Sequence, residues 1–200
     1  SADVQDLYIE KLDDTENPAK YYFKDKWEDL KIEKEQIKVK GSKTVEKNIY
    51  YTIHGPIVNE AMEIGEQPMS MKWTLHEGNT MLNSINKINQ AGNFTEFRDG
   101  LREWNNAAQN FIYADVDGNI GYQNTAHCPI RAKKNQGLVP VPGWTGTYEW
   151  EGYVPFDELP SIYNPTEGYI ATANNDTTDQ YYPYYLSKDW SADYRVDRIK

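Results

Sequence analysis

The chain holds a single cysteine, Cys128, in 200 residues. No intrachain disulfide framework can form, so cysteine usage neither demands nor forbids an oxidising compartment. Histidine is almost as scarce. His54, His76 and His127 are the only three, and none stand at the i, i+4 spacing of a helical zinc site, so a zinc hydrolase of that kind is not expected. Basic charge is also in deficit: 21 Lys and Arg against 31 Asp and Glu give a net charge of -10, with a pI near 4.8. A nucleic-acid partner needs a basic face that releases counterions, and none stands out. No apolar run approaches the ~18 residues of a membrane span. Gly-rich phosphate loops, a nucleophile elbow, internal repeats and low-complexity tracts are missing too.

What is present is aromatic. Apolar residues make up only 38% of the chain and mean hydropathy is -0.84, yet 16 Tyr and 6 Trp are too many for a disordered polymer. The length suffices for one core or two small ones without a disulfide or metal staple. The first strand pattern, "DVQDLYIEKL", begins three residues from Ser1, so the sequence reads as an excised piece. From Leu30 to Val39 a second strand pattern is interrupted by polar residues that read as a turn or bulge. The Lys-rich stretch from Lys31 to Lys47 is interleaved with Glu33, Glu35 and Glu46, which reads as a solvated face. "NIYYTIHGPIVNE" and "MSMKWTL" add further strands.

Two helices are expected. "NTMLNSINKINQ" has Asn79 as candidate cap, and "NFTEFRDGLREW" starts from Asn93 with Glu96 three residues on, a capping-box spacing. "NFIYADVDGNIGYQ" reads as a hairpin turning at Asp117-Gly118. Its acidic cluster is a turn rather than a calcium loop, since the Gly falls too early for an EF-hand and no Glu closes it. The Pro-, Gly- and Trp-rich stretch from Gly137 to Pro165 excludes a regular helix. It leads into "GYIATANN", which begins like a strand and ends on Asn174 and Asn175 among small residues. Those amides suit a turn, because Asn tolerates left-handed backbone. They also suit a site, because a carboxamide donates a hydrogen bond without changing charge. His127 beside Cys128 is a poor thiol-base pair, since neighbours on a strand face opposite ways.

In order along the chain, "NFIYADVDGNIGYQ", "GLVPVPGWTGTYEWEGYVPFDELP", "NPTEGYIATANN" and "YRVDRI" resemble the penicillin acylase family of N-terminal nucleophile amidohydrolases. The resemblance implies an α+β, largely antiparallel piece of an αββα sandwich. It implies hydrolysis of the side-chain amide of penicillins or related N-acyl compounds by an N-terminal Ser, whose own α-amine is the base at a pKa near 8. Residues 1–200 then correspond to an internal part of the family's large chain, treated as one structural unit. "SADVQDLYIEKL" matches a segment roughly seventy residues past the nucleophile, so Ser1 is not taken as catalytic. The nucleophile-bearing start, the small chain and the later part of the large chain would lie elsewhere, leaving these residues inactive alone. A bacterial secreted or periplasmic setting, a processed precursor, a small-molecule amide substrate and no organic cofactor complete the expectation.

By the same resemblance Asn174 matches the oxyanion-hole Asn, and Arg195 the Arg set near it; a bare salt bridge from Arg195 to Asp193 or Asp197 is the competing reading. Ile85 and Gln109 align approximately with acyl-pocket walls. Asp3, Gln5, Asp6 and Gly137 fall where the family binds a structural calcium. The further Asp expected after the Asn pair is unmatched, with Leu186 near its position. A different class of function stays open: an extracellular carbohydrate- or peptide-binding module, which requires Trp144, Tyr148, Trp150 and Tyr153 in an exposed row.

Overall fold

The computed structural model describes residues 2–78, 80–105, 107–132 and 135–199. Along the chain run β1 (Gln5–Ile9), β2 (Lys20–Phe23), β3 (Lys26–Asp29), β4 (Lys31–Ile37), β5 (Val45–Thr52), β6 (Gly55–Pro56), α1 (Asn59–Met62) and β7 (Met69–Trp73). They are followed by α2 (Met81–Gln90), α3 (Phe94–Gly100), β8 (Gln109–Ala114), β9 (Ile120–Thr125), β10 (Pro129–Arg131), β11 (Val141–Pro142), β12 (Trp150–Tyr153), β13 (Ser161–Tyr163) and α4 (Tyr194–Ile199). The fold is α+β with mostly antiparallel pairing; β1 with β11 is parallel. Where the sequence reading treats the chain as one unit, it divides into two compact ones: Gln5–His76 with Arg131–Glu149, and Ser1–Val4 with Glu77–Ile130 and Trp150–Lys200.

In the first of these, β1 lies between β7 and β11. It alternates as a half-buried strand should, with Asp6 and Tyr8 buried between exposed or half-buried neighbours. The expected break between Leu30 and Val39 does not occur. β4 runs uninterrupted against β5, Glu35 opposite Lys47 and Gln36 opposite Glu46. A strand solvated on both faces needs no apolar alternation, and its cross-strand charges and amides hold the ladder instead. The mixed charge of this stretch is a solvated face, as its composition suggests.

In the second unit, α3 begins at its expected cap, Asn93, although the returning Glu96 bond goes to the N–H of Gly92 rather than to that of the cap itself. Asn93 Oδ1 accepts the Glu96 N–H at 2.9 Å, and the Glu96 carboxylate accepts the Gly92 N–H at 2.8 Å. Asn79 lies outside the described residues, and the cap position of α2 is Thr80. β8 and β9 form the expected hairpin, with β13 added on the far side of β9. At its turn Asp115 Oδ1 accepts from the backbone of Asp117 and Asn119, so the acidic cluster is turn chemistry. "GYIATANN" is not a strand: residues 169–178 form neither helix nor strand. The segment is held by its side chains instead of a ladder. Two helices beyond the expected pair, α1 of four residues and α4 of six, are too short for periodicity to reveal.

Candidate active site

The irregular segment bearing Asn174 is built from local amide and hydroxyl bonds. Asn175 Oδ1 accepts the Ala173 N–H at 3.1 Å, and Asn175 Nδ2 donates to the Asp176 carbonyl at 2.8 Å. Asp176 Oδ1 accepts from both the backbone and the hydroxyl of Thr178. Asn175 is thus the turn-former of the pair. Asn174 takes φ +63°, a left-handed conformation that Asn tolerates at modest cost. Its carbonyl accepts the Ser191 N–H at 2.8 Å, tying the segment to the stretch that leads into α4.

From α4, Arg195 Nη1 donates to Asn174 Oδ1 at 3.0 Å. Among the described residues neither Asp193 nor Asp197 pairs with Arg195, so the salt-bridge alternative does not hold. A guanidinium can only donate, so the carboxamide atom facing it must be the oxygen. Asn174 Nδ2, with its two N–H groups, therefore faces away from Arg195. The permanent charge also draws electron density toward Oδ1, sharpening the amide as a donor. Asn174 and Arg195 line one polar cavity of about 310 Å³ together with Gln109, Asn110, Thr172 and Ala173. Gln109 therefore joins the site. Ile85 does not: it is half-buried on α2 and is not part of this lining.

Asn110 and Thr172 were not singled out in the sequence. Counting outward from Asp117-Gly118 would pair Asn110 with Thr125; the loop over residues 115–119 shifts the register by one and sets Asn110 opposite Asn124, so the sequence did not mark it. Nothing in the sequence marks Thr172.

Of the four calcium positions, Gln5 and Asp6 are already bonded by a guanidinium. Arg131 Nε bonds both oxygens of the buried Asp6 carboxylate, at 3.1 and 2.8 Å, and Arg131 Nη2 donates to the Gln5 carbonyl at 3.4 Å. The guanidinium already supplies the positive charge that a cation would bring. Asp3 N–H donates to the Leu186 carbonyl at 2.7 Å, and Leu186, which offers no carboxylate, is buried. Gly137 takes φ +69° in a turn closed by Asn135. Among the described residues no group of three or more His, Cys, Asp or Glu side chains is arranged to hold a metal.

The remaining candidates resolve as structure. His127 stacks on Tyr153 with ring centroids 3.6 Å apart, and the Tyr153 hydroxyl bonds Glu77. Burial pushes the Tyr153 phenol up, and Glu77 pushes it further. Cys128 is buried against backbone carbonyls. Trp144, Tyr148, Trp150 and Tyr153 are all half-buried, with Trp144 beneath the Lys11 ammonium at 4.1 Å. That is not the exposed row a sugar- or peptide-binding module needs.

A carboxamide donor oriented by a guanidinium at a polar cavity is the kind of arrangement that hydrolases of acyl compounds use to meet a developing oxyanion. The chain belongs to the penicillin amidase family, whose profile matches residues 1–200. It is 34% identical over 200 residues to the acyl-homoserine lactone acylase QuiP of Pseudomonas fluorescens, covering 98% of this chain and 24% of that protein. It is 30% identical over 197 residues to the penicillin acylase 2 proenzyme of a Pseudomonas species, covering 98% and 25%. A solved thermostable penicillin G acylase from Alcaligenes faecalis superposes with a TM-score of 0.80 at 31% identity, covering 96% of this chain and 34% of that one. The chain therefore spans about a quarter of the length of these curated relatives.

Proposed function

We propose that this chain is part of an amidohydrolase that cleaves the side-chain amide of a penicillin or a related N-acyl compound through an acyl-enzyme. The observation that carries the reading is the bond from Arg195 to Asn174 Oδ1, which turns the amide N–H groups of Asn174 away from the guanidinium beside a polar cavity. In this reading an N-terminal Ser, supplied from sequence preceding residue 1, attacks the amide carbonyl while its own α-amine takes the hydroxyl proton. The carbonyl oxygen gains charge, and an Asn174 N–H donates to it. One such donor contributes about 2.7 to 4 kcal/mol to the barrier reduction. The α-ammonium returns its proton to the leaving amine, and water activated by the same amine then releases the acyl group. Arg195 does not transfer a proton; its charge and fork geometry fix the carboxamide and polarise it.

The relatives' names divide between lactone-bearing and β-lactam-bearing substrates. What those substrates share is an N-acyl amide, and the proposal is confined to that bond. The protein partner in this reading is the small chain of the same processed precursor, in a bacterial secreted or periplasmic setting. The test is Asn174→Ala in the full-length processed protein, assayed on N-phenylacetyl and N-acyl-homoserine lactone amides. The expected result is a fall in kcat of about a hundredfold or more with KM little changed, because the donor acts chiefly on the charged oxygen. Asn175→Ala should be milder. Equal damage from both, accompanied by lost thermal stability and no specific loss of kcat, would reduce Asn174 to a turn residue.

A further inference from the structure

The segment that carries Asn174 has no ladder of its own, so what fixes the donor's direction must grip the chain on either side of it. Two hydroxyls do this. Thr172 Oγ1, two residues before Asn174, accepts from Asn110 Nδ2 at 3.3 Å. Thr177 Oγ1, three residues after it, hydrogen-bonds the Tyr122 hydroxyl at 3.2 Å. Both partners stand on the β8–β9 hairpin, where Asn110 pairs with Asn124 and Ile112 with Tyr122. Side chains two residues apart on a strand share a face, so Asn110, Tyr122 and Asn124 present their groups together.

These anchors are themselves locked. Asn110 Oδ1 accepts from the Tyr122 hydroxyl at 2.7 Å and from Asn124 Nδ2 at 3.0 Å. With its oxygen so occupied, the atom that Asn110 turns to Thr172 is Nδ2. Tyr122 is 3% exposed and Asn124 1% exposed, so water competes little with these bonds. Burial pushes the Tyr122 phenol up, outweighing the opposing bonds from Thr177 and Asn124, so it stays protonated as the geometry requires.

We propose that Asn110 and Tyr122 are positioning residues for the Asn174 donor, clamping its segment from both sides through Thr172 and Thr177. The inference rests on the reading of Asn174 as an oxyanion donor. Its chemical sense is geometric: a misplacement of about 1 Å in a catalytic group can cost on the order of a hundredfold in rate. A donor on an irregular segment keeps its position only if that segment is tied to a rigid element, and here the hairpin is that element.

The test uses the full-length processed protein with Thr172→Val, Thr172→Ser and Tyr122→Phe, reading kcat, KM and deuterium uptake over residues 171–178. Tyr122 does not line the cavity, so Tyr122→Phe, which removes its bonds to both Thr177 and Asn110, loosens the clamp without touching substrate. Thr172→Val and Tyr122→Phe should each lower kcat by about tenfold, move KM by less than about twofold, and speed exchange over the segment. Thr172→Ser, which keeps the hydroxyl, should restore both readouts. Unchanged exchange and unchanged kcat in the Val and Phe variants, with Asn174→Ala still crippling, would overturn the clamp and leave the donor reading intact. Faster exchange with kcat untouched by the clamp variants and by Asn174→Ala alike would overturn the donor reading, and the positioning role with it.

Discussion

Arg195 Nη1 lies 3.0 Å from Asn174 Oδ1, a single bond between side chains 21 residues apart that fixes the oxygen as the end of the carboxamide facing the guanidinium. The bond joins a six-residue helix to a segment with no regular structure. Neither element is stable by itself, since an isolated helix this short is below the length at which propagation offsets nucleation.

The first prediction follows from that bond. Arg195→Lys keeps the charge but loses the planar fork, so the carboxamide is no longer held in one orientation. In the full-length processed protein kcat should fall by about tenfold, and by more in Arg195→Met, where Asn174 can also flip its amide. Steady-state kinetics on an N-phenylacetyl amide check this. A kcat equal to wild type in Arg195→Met would show that Asn174 orients without Arg195.

How much of this could be read beforehand varies by element. The β8–β9 hairpin and the Asn93 cap were legible because their signals are local: a turn dipeptide between β-rich arms, and an amide three residues before a Glu. The pairing of Asn174 with Arg195 entered only through family resemblance, since no periodicity connects a loop to a six-residue helix. The strand expected at "GYIATANN" failed for a physical reason. The Asn175 and Asp176 side chains bond nearby backbone, offering the chain an alternative to a ladder. The interrupted strand at Leu30–Val39 failed oppositely, because a solvated hairpin satisfies its ladder without apolar alternation. The Asn110 clamp was not legible: a two-residue turn at Asp117-Gly118 would set Asn110 opposite Thr125, whereas the longer loop held by Asp115 sets it opposite Asn124, and nothing marks Thr172.

A second prediction concerns packing beneath the hairpin. A Cβ added at Gly121 would come within 2.4 Å of the Phe94 ring. That ring cannot retreat freely, because it stacks on Tyr163 with centroids 4.8 Å apart. Gly121→Ala should therefore destabilise the protein by about 1 to 3 kcal/mol, read from the urea midpoint at unchanged slope. Adding Phe94→Leu should recover part of the loss. No recovery in the double variant would point to the strand backbone rather than the ring.

Calcium is the subject of the third. With the Asp6 carboxylate already bonded by Arg131, added calcium has little to neutralise, so neither millimolar calcium nor a chelator should move the melting temperature appreciably. Arg131→Ala, by contrast, strands a buried carboxylate, and the expected loss is about 3 to 5 kcal/mol. A rise of several degrees with calcium, abolished by Asp3→Ala, would show that these donors close on the ion after all.

The last prediction comes from the buried network around His54. Its Nδ1 lies 2.8 Å from Glu10 Oε1 and its Nε2 lies 2.9 Å from Glu149 Oε1, and the ring stacks flat on Tyr8. Glu10 Oε1 also accepts from the Thr52 and Ser70 hydroxyls, and Lys72 stands 3.6 Å from Glu149. With an acceptor at each nitrogen, the imidazolium is the form that donates to both. Burial alone would lower the His54 pKa, but the bonds from Glu10 and Glu149 outweigh it and the pKa is raised. Burial alone would raise that of Glu149, yet His54 and Lys72 bring it down. The signs then fix the pH dependence. The contribution of His54 is fully present below its unfolded pKa of about 6.5 and is lost as pH rises through the raised folded value. That of Glu149 is present above about 4.5 and is lost as pH falls through its lowered folded value. Stability should therefore be greatest between those two values and decline on the alkaline side as His54 deprotonates, a decline that His54→Gln should abolish in denaturant midpoints measured from about pH 6 to about pH 9. Should that variant not fold, the His54 ring can be titrated by NMR in the wild type, where a midpoint at or below about 6.5 would show that burial prevails over the two carboxylates.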